Sequence, residues 1–187
     1  MDNKLKIIGY LGKNIGRSYT MHELSQILRI PYASFYRTTH NLQDIIIRTR
    51  KGQAYLIELN SINPIIKSYL TIASDEEKKE FLNSHQLLGK LRQEFSHKEV
   101  VVLFGSYAKG KETEDSDIDL LIINSKGRKT ASFSKFETLF KKRVNPLFIT
   151  PTEFRRMLKD KEENVGKQVL KNHVILNNQE KFWELVL

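Results

Sequence analysis

Asp117 and Asp119 are the residues best suited to chemistry. They flank Ile118 and lead into the apolar run Leu120–Ile123, which reads as a strand buried on both faces. On a strand, residues i and i+2 share a face, so the two carboxylates converge while Ile118 points into the core. Two carboxylates held on one face repel unless a cation lies between them. Magnesium suits such a place, being hard, oxygen-seeking and commonly shared between one or two carboxylates and substrate phosphates. Eleven positions before Asp117 stands Ser106, in a Gly105-Ser106 turn delivered by a second apolar run, Val100–Phe104. Glycine lets the backbone approach a ligand closely, the amides of such a turn suit phosphate oxygens, and Ser106 adds a hydroxyl donor.

The stretch runs Gly105-Ser106-Tyr107-Ala108-Lys109-Gly110, then a short acidic loop, then Ser116-Asp117-Ile118-Asp119-Leu120. It resembles the nucleotidyltransferase superfamily that includes DNA polymerase β. Within it, the likeness is to the minimal nucleotidyltransferases, whose pattern is G-S-x-A-R-G followed by S-D-I-D-L. Residues 97–187 carry the resemblance. Lys109 replaces the pattern's arginine, which keeps the charge but loses bidentate phosphate geometry. The resemblance implies a nucleotidyltransferase fold, a small mixed sheet flanked by helices. It also implies transfer of a nucleotidyl group from a nucleoside triphosphate such as ATP to an acceptor, dependent on Mg²⁺ or Mn²⁺. Asp117 and Asp119 would be the catalytic residues and metal ligands, and Gly105, Ser106 and Lys109 would bind the nucleotide. Diphosphate would leave by in-line displacement.

Active relatives place a third carboxylate on a later strand. The matching segment here is Arg143-Val144-Asn145-Pro146-Leu147, so Asn145 stands in that position. Asparagine can offer a neutral oxygen to a metal, but it cannot act as a general base or supply charge. Glu153 has two readings, as a substitute carboxylate or as the partner of Thr150 in a helix capping box.

The elements that must position these residues are α/β in pattern, with Leu147–Ile149 as a weaker third strand and Val174–Leu176 as an edge strand. A basic helix is expected over about 132–143, either a solvated face or an acceptor surface. Helices are also expected over 152–160, 162–171 and 179–186. Upstream, Leu5, Ile8 and Leu11 mark one helix. Thr20 with Glu23 forms a capping box on a second. Pro31 opens a third, about 32–42, burying Ala33, Phe35 or Tyr36, and Leu42. Two β-prone runs around Lys51-Gly52 then read as a hairpin.

Three helices followed by a hairpin resemble a winged helix-turn-helix. The expected division is a winged helix over 1–62, a helical connector over 63–97 and the transferase domain over 98–187. In the connector, one helix is expected to run to about Ile72 and another to start at a cap on Ser74 or Asp75. Tyr32, Ser34, Arg37 and Thr38 would face a DNA major groove, with Arg48, Arg50 and Lys51 on the wing near phosphates. His22 and His40 fall in the same region. His85, His97 and His173 read as structural or exposed.

The charge balance agrees with a polyanion partner. The chain carries 31 Lys+Arg against 22 Asp+Glu, and residues 1–60 alone hold nine against four. Double-stranded DNA is the partner expected there, and symmetric sites would call for a homodimer. The 187 residues contain no cysteine, which excludes disulfides, thiolate metal cages and a cysteine nucleophile. No apolar run approaches the ~20 residues of a membrane span. Without an apolar leader, the protein is expected to be cytoplasmic. The resemblance leaves a rival to the enzyme: a catalytically degenerate DNA-binding regulator, or an antitoxin-like partner of a helical, toxin-like protein.

Overall fold

Asp2 opens the first helix, α1 (Asn3–Lys13), by accepting the Lys4 amide at 2.8 Å. A computed structural model describes all 187 residues apart from the side chain of Gln93. It divides into two units, Met1–Ala73 and Ser74–Leu187. In the first, α1 is followed by β1 (Tyr19–Thr20), α2 (Met21–Ile27), α3 (Tyr32–His40) and the hairpin of β2 (Ile46–Lys51) and β3 (Ala54–Leu59). The strands pair antiparallel in the order β1-β3-β2.

Local chemistry explains these boundaries. Thr20 and Glu23 form the expected capping box, each side chain bonding the other residue's amide. At the end of α2, Arg29 turns left-handed (φ 54°), the Ile30 amide donates to the Ser25 carbonyl, and Ile30 is buried. On α3 the buried stripe is Phe35 and Thr39, continued by Leu42 beyond the helix end, a spacing of four and three residues. Ala33 and Tyr36 are out of phase with it and lie exposed, so Ala33 departs from the expected core. Gly52 (φ 63°) takes the first place of a two-residue turn that sets Lys51 opposite Ala54.

The break expected at Ser74–Asp75 is absent. One helix, α4 (Ile66–Ser84), runs through it, and the boundary between the two units falls within this helix. Its sequence holds no glycine or proline. Asp75 pairs with Lys78 and Lys79 at i+3 and i+4 instead of capping. Buried Ser74 accepts the Trp183 indole N–H at 2.9 Å. The helix ends instead at His85, before α5 (Gln86–Leu91).

The second unit is built on β4 (Val100–Leu103), β5 (Ile118–Ile123), β6 (Val144–Ile149) and β7 (Val174–Asn177), in the order β6-β5-β4-β7. β5 and β6 are parallel and the other pairs antiparallel, so the sheet is mixed and the class is α/β. All of β4, and all of β5 except Asp119, is buried. Pro146, which cannot donate to a ladder, sits on edge strand β6. Around the sheet lie α6 (Gly105–Ala108), α7 (Ser134–Phe140), α8 (Pro151–Lys159), α9 (Val165–Lys171) and α10 (Gln179–Val186).

The basic helix is shorter than the sequence suggested. Lys141 turns left-handed (φ 50°) after it, and the Glu137 carboxylate accepts the Val144 amide at 2.8 Å where β6 begins. Val101, Leu103, Ile118, Leu120 and Ile122 form one core with Leu88, Leu91, Phe133 and Phe136. A second buried cluster joins Phe154, His173, Phe182 and Trp183. Among the described residues, no helix is long and apolar enough to cross a membrane.

Candidate active site

Because Ile118, Leu120 and Ile122 enter the core with α5 and α7, strand alternation leaves Asp119 on the opposite face, and Asp117 immediately precedes the strand. Leu103 ends β4 opposite Leu120, and the Phe104 amide donates to the Asp119 carbonyl at 3.0 Å. This last rung brings Gly105 against the Asp119 side chain. A Cβ on Gly105 would lie 2.0 Å from Asp119 Oδ2 and 2.9 Å from its Cγ. Gly105 also holds φ at +71°. Fit and backbone conformation therefore each demand glycine. The chain then turns through α6, where the Ser106 carbonyl accepts the Lys109 and Lys111 amides at 3.1 and 3.0 Å. Buried Tyr107 anchors this turn in the core. Ser106 is half-buried and Lys109 is exposed.

The acidic loop between α6 and β5 is tied at three points. Ser116 Oγ accepts the Thr113 amide at 2.8 Å, and Lys142 Nζ donates to the Glu114 carbonyl. His85 binds Glu112, with Nε2 2.9 Å from Oε1. The imidazole stacks on Phe81 at 4.0 Å, and its Nδ1 lies 2.9 Å from the Phe81 carbonyl. The His85 hydrogen bond holds the Glu112 carboxyl below its ordinary range. Sequence reading missed this role for His85, since its partner lies 27 residues away and no local pattern links them.

Asn145 stands opposite Asp119 in the parallel β5–β6 register and donates from Nδ2 to Asp119 Oδ1 at 3.0 Å. Glu153 is committed elsewhere. Its carboxylate accepts the Thr150 amide at 2.7 Å and hydroxyl at 2.8 Å, completing a capping box on α8. Those bonds hold its carboxyl low. Among the described residues, no group of three or more His, Cys, Asp or Glu is placed to hold a metal. The donors at this corner are thus two carboxylates and one amide. The two carboxylates carry hard oxygens of the kind that could hold a divalent cation, while Asn145 turns its amide nitrogen to Asp119.

In the first unit, Tyr32 and Arg37 share the exposed face of α3 with Tyr36 and His40. Ser34 and Thr38 are half-buried: Ser34 Oγ accepts from Asn3 at 3.3 Å, and the Thr38 hydroxyl donates to the Ser34 carbonyl at 2.9 Å. Arg48, Arg50 and Lys51 are exposed on the hairpin. Arg50 Nε donates to the Gly52 carbonyl at 3.2 Å.

A Gly-Ser turn packed against the Asp119 carboxylate at the end of a mixed four-stranded sheet defines an α/β domain. Residues 84–185, more than half of the chain, match the family model of the nucleotidyltransferase domain, and the chain belongs to that family. Membership supports nucleotidyl transfer as the general chemistry, with a nucleoside triphosphate and a divalent metal as the family's usual requirements. The match starts upstream of the segment on which the resemblance was read, and it takes in His85 and α5. No curated protein and no solved structure matches the chain.

Proposed function

We propose that this protein is a Mg²⁺- or Mn²⁺-dependent nucleotidyltransferase whose N-terminal unit is a DNA-binding winged helix-turn-helix. The observation that carries the enzymatic half is the fit of the Asp119 carboxylate against the bare Cα of Gly105, because only a glycine turn admits a carboxylate there. In this reading Asp117 and Asp119 hold the cation. Held there, a cation would supply the positive charge that nucleotidyl transfer calls for. Gly105 and Ser106 position the triphosphate beside Asp119, and Lys109 supplies an exposed positive charge nearby. The ties from His85, Lys142 and Ser116 keep the loop before Asp117 in place, so that its carboxylate is pre-positioned.

For the N-terminal unit, the helix order, the paired hairpin and the exposed Tyr32, Arg37, Arg48, Arg50 and Lys51 support contact with DNA. Ser34 and Thr38 bond within the unit and are proposed to contribute through the hydrogen-bonding capacity their hydroxyls retain.

One observation favours a second reading. The Asn145 amide occupies Asp119 Oδ1, where a third carboxylate would instead add charge to a metal site. This supports a regulator, with or without a helical protein partner, that binds nucleotide without transferring it.

The deciding experiment incubates the protein with each α-³²P-labelled nucleoside triphosphate, Mg²⁺ and cell extract, beside an Asp117→Ala/Asp119→Ala control. Transferred label that disappears in the control establishes the enzyme. Mg²⁺-dependent nucleotide binding without transfer establishes the regulator, and neither result sinks both readings of the corner.

A further inference from the structure

A stripe of flat, polarizable side chains crosses the exposed face of the first unit. Tyr32, Tyr36 and His40 recur every four residues along α3, and Tyr55 stands on β3. The tyrosines are large aromatics left open, with 49% of Tyr32 and 42% each of Tyr36 and Tyr55 exposed. Arg48 on β2 joins helix to hairpin, its guanidinium 4.1 Å from the Tyr55 ring centroid and 5.5 Å from that of Tyr36. Together with His22, which lies 6.0 Å from the Tyr32 ring, these residues line a cleft of about 630 Å³.

Rings and a guanidinium plane around a cleft are a poor tool for reading a duplex. In a major groove the bases show only their edges, and these are read by forked donors and acceptors such as Arg, Asn and Gln. The exposed face of α3 offers one arginine and no amide side chain. Flat faces are useful where bases are unstacked and can lie against them, as in single strands, loops and ends. The charge excess of this unit selects the same class of ligand, since nine Lys and Arg against four Asp and Glu over residues 1–60 attract a polyanion.

We propose that the cleft between α3 and the β2–β3 hairpin binds an unpaired base of a single-stranded nucleic acid segment, stacked on Tyr36, Tyr55 and the Arg48 guanidinium. This rests on the nucleic-acid reading of the N-terminal unit and adds the form of nucleic acid that it prefers. The strand's phosphates lie toward Arg50 and Lys51, while Tyr32, His22 and His40 close the sides of the cleft.

The test uses the full chain and one oligonucleotide sequence, labelled with fluorescein and carrying one 2-aminopurine, offered single-stranded and as a duplex at the same salt concentration. The single strand is expected to bind at least about 10-fold tighter than the duplex, with a change in 2-aminopurine emission. Tyr36→Ala and Tyr55→Ala are each expected to weaken single-strand binding about 5- to 150-fold, the range found when one base loses an aromatic partner. Tyr55→Phe, which keeps the ring, is expected to bind as the parent does, and this separates stacking from any loss of structure. Duplex binding that exceeds single-strand binding and ignores the tyrosine substitutions overturns the proposal but leaves the DNA reading standing. Single-strand binding insensitive to both alanine variants overturns the cleft as its site. If neither form binds, the proposal and the nucleic-acid reading fall together.

Discussion

Gly105 and Gly52 both hold positive φ, at +71° and +63°, yet a Cβ would meet Asp119 Oδ2 at 2.0 Å on the first and nothing within 4 Å on the second. The contrast extends to the regions around them. At the acidic corner, β4, α6 and β5 are locked into one packed core, and the Asp119 carboxylate lies where the fold leaves no room for a Cβ on residue 105. At the hairpin, Gly52 answers only to a backbone turn, and Arg50, Lys51, Gln53 and Ala54 around it are exposed. Sensitivity to mutation should therefore follow atomic fit in one region and surface chemistry in the other.

The largest expected effect tests the first half of that contrast. Gly105→Ala should reduce nucleotidyl transfer to background and lower stability by roughly 2 kcal/mol or more, from left-handed strain of about 1–2 kcal/mol plus overpacking against Asp119. Thermal unfolding alongside the labelled-nucleotide assay checks both, and near-parental activity would show that Asp119 can move aside freely.

Next comes Asn145→Asp, which replaces the 3.0 Å amide-to-carboxylate bond with two carboxylates at close range. Without divalent cation the variant should melt below the parent. With Mg²⁺ it should gain more in melting temperature than the parent does, because ligand binding adds stability according to affinity. Equal Mg²⁺ shifts in the two proteins would remove Asn145 from the metal site.

A smaller effect is expected for Gly52→Ala. Only backbone strain is introduced, about 1 kcal/mol, and transfer should be unchanged.

The smallest concerns Glu112, which His85 holds below the ordinary carboxylate value. A carboxyl with a depressed folded-state pKa stabilises the fold above its unfolded value and loses that contribution as pH falls through the folded one. The melting-temperature gap between parent and Glu112→Gln should thus be present when the carboxyl is ionised and close as pH falls below the ordinary carboxylate range. A gap that widened on acidification would contradict the assigned direction.

Much of the corner could be read from the chain because its determinants are close in sequence. The Gly105-Ser106 turn, the Asp117-x-Asp119 alternation and the two capping boxes, Thr20 with Glu23 and Thr150 with Glu153, are all local patterns with direct physical meaning. The features that escaped depend on tertiary partners. Ser74 and Asp75 look like a cap, but a buried indole and two lysines claim them, and α4 continues. His85 gains its role only when the acidic loop folds back on it. The Arg48–Tyr55 contact was hidden by register. Once Gly52-Gln53 is the turn, Arg50 faces Tyr55 and Arg48 becomes its diagonal neighbour on the same face of the sheet.

The pairing of β7 with β4, and of Trp183 with Ser74, has a consequence for biosynthesis. The sheet that carries Asp119 is completed by residues 174–177, and Ser74 receives its partner 109 positions later. The sheet that carries Asp119 therefore cannot close until residues 174–177 have left the ribosome, whereas the hairpin of the first unit joins residues only a few positions apart. Every strand of Met1–Ala73 is synthesised before β4, so the pairing of β1, β2 and β3 can precede completion of the sheet that carries Asp119.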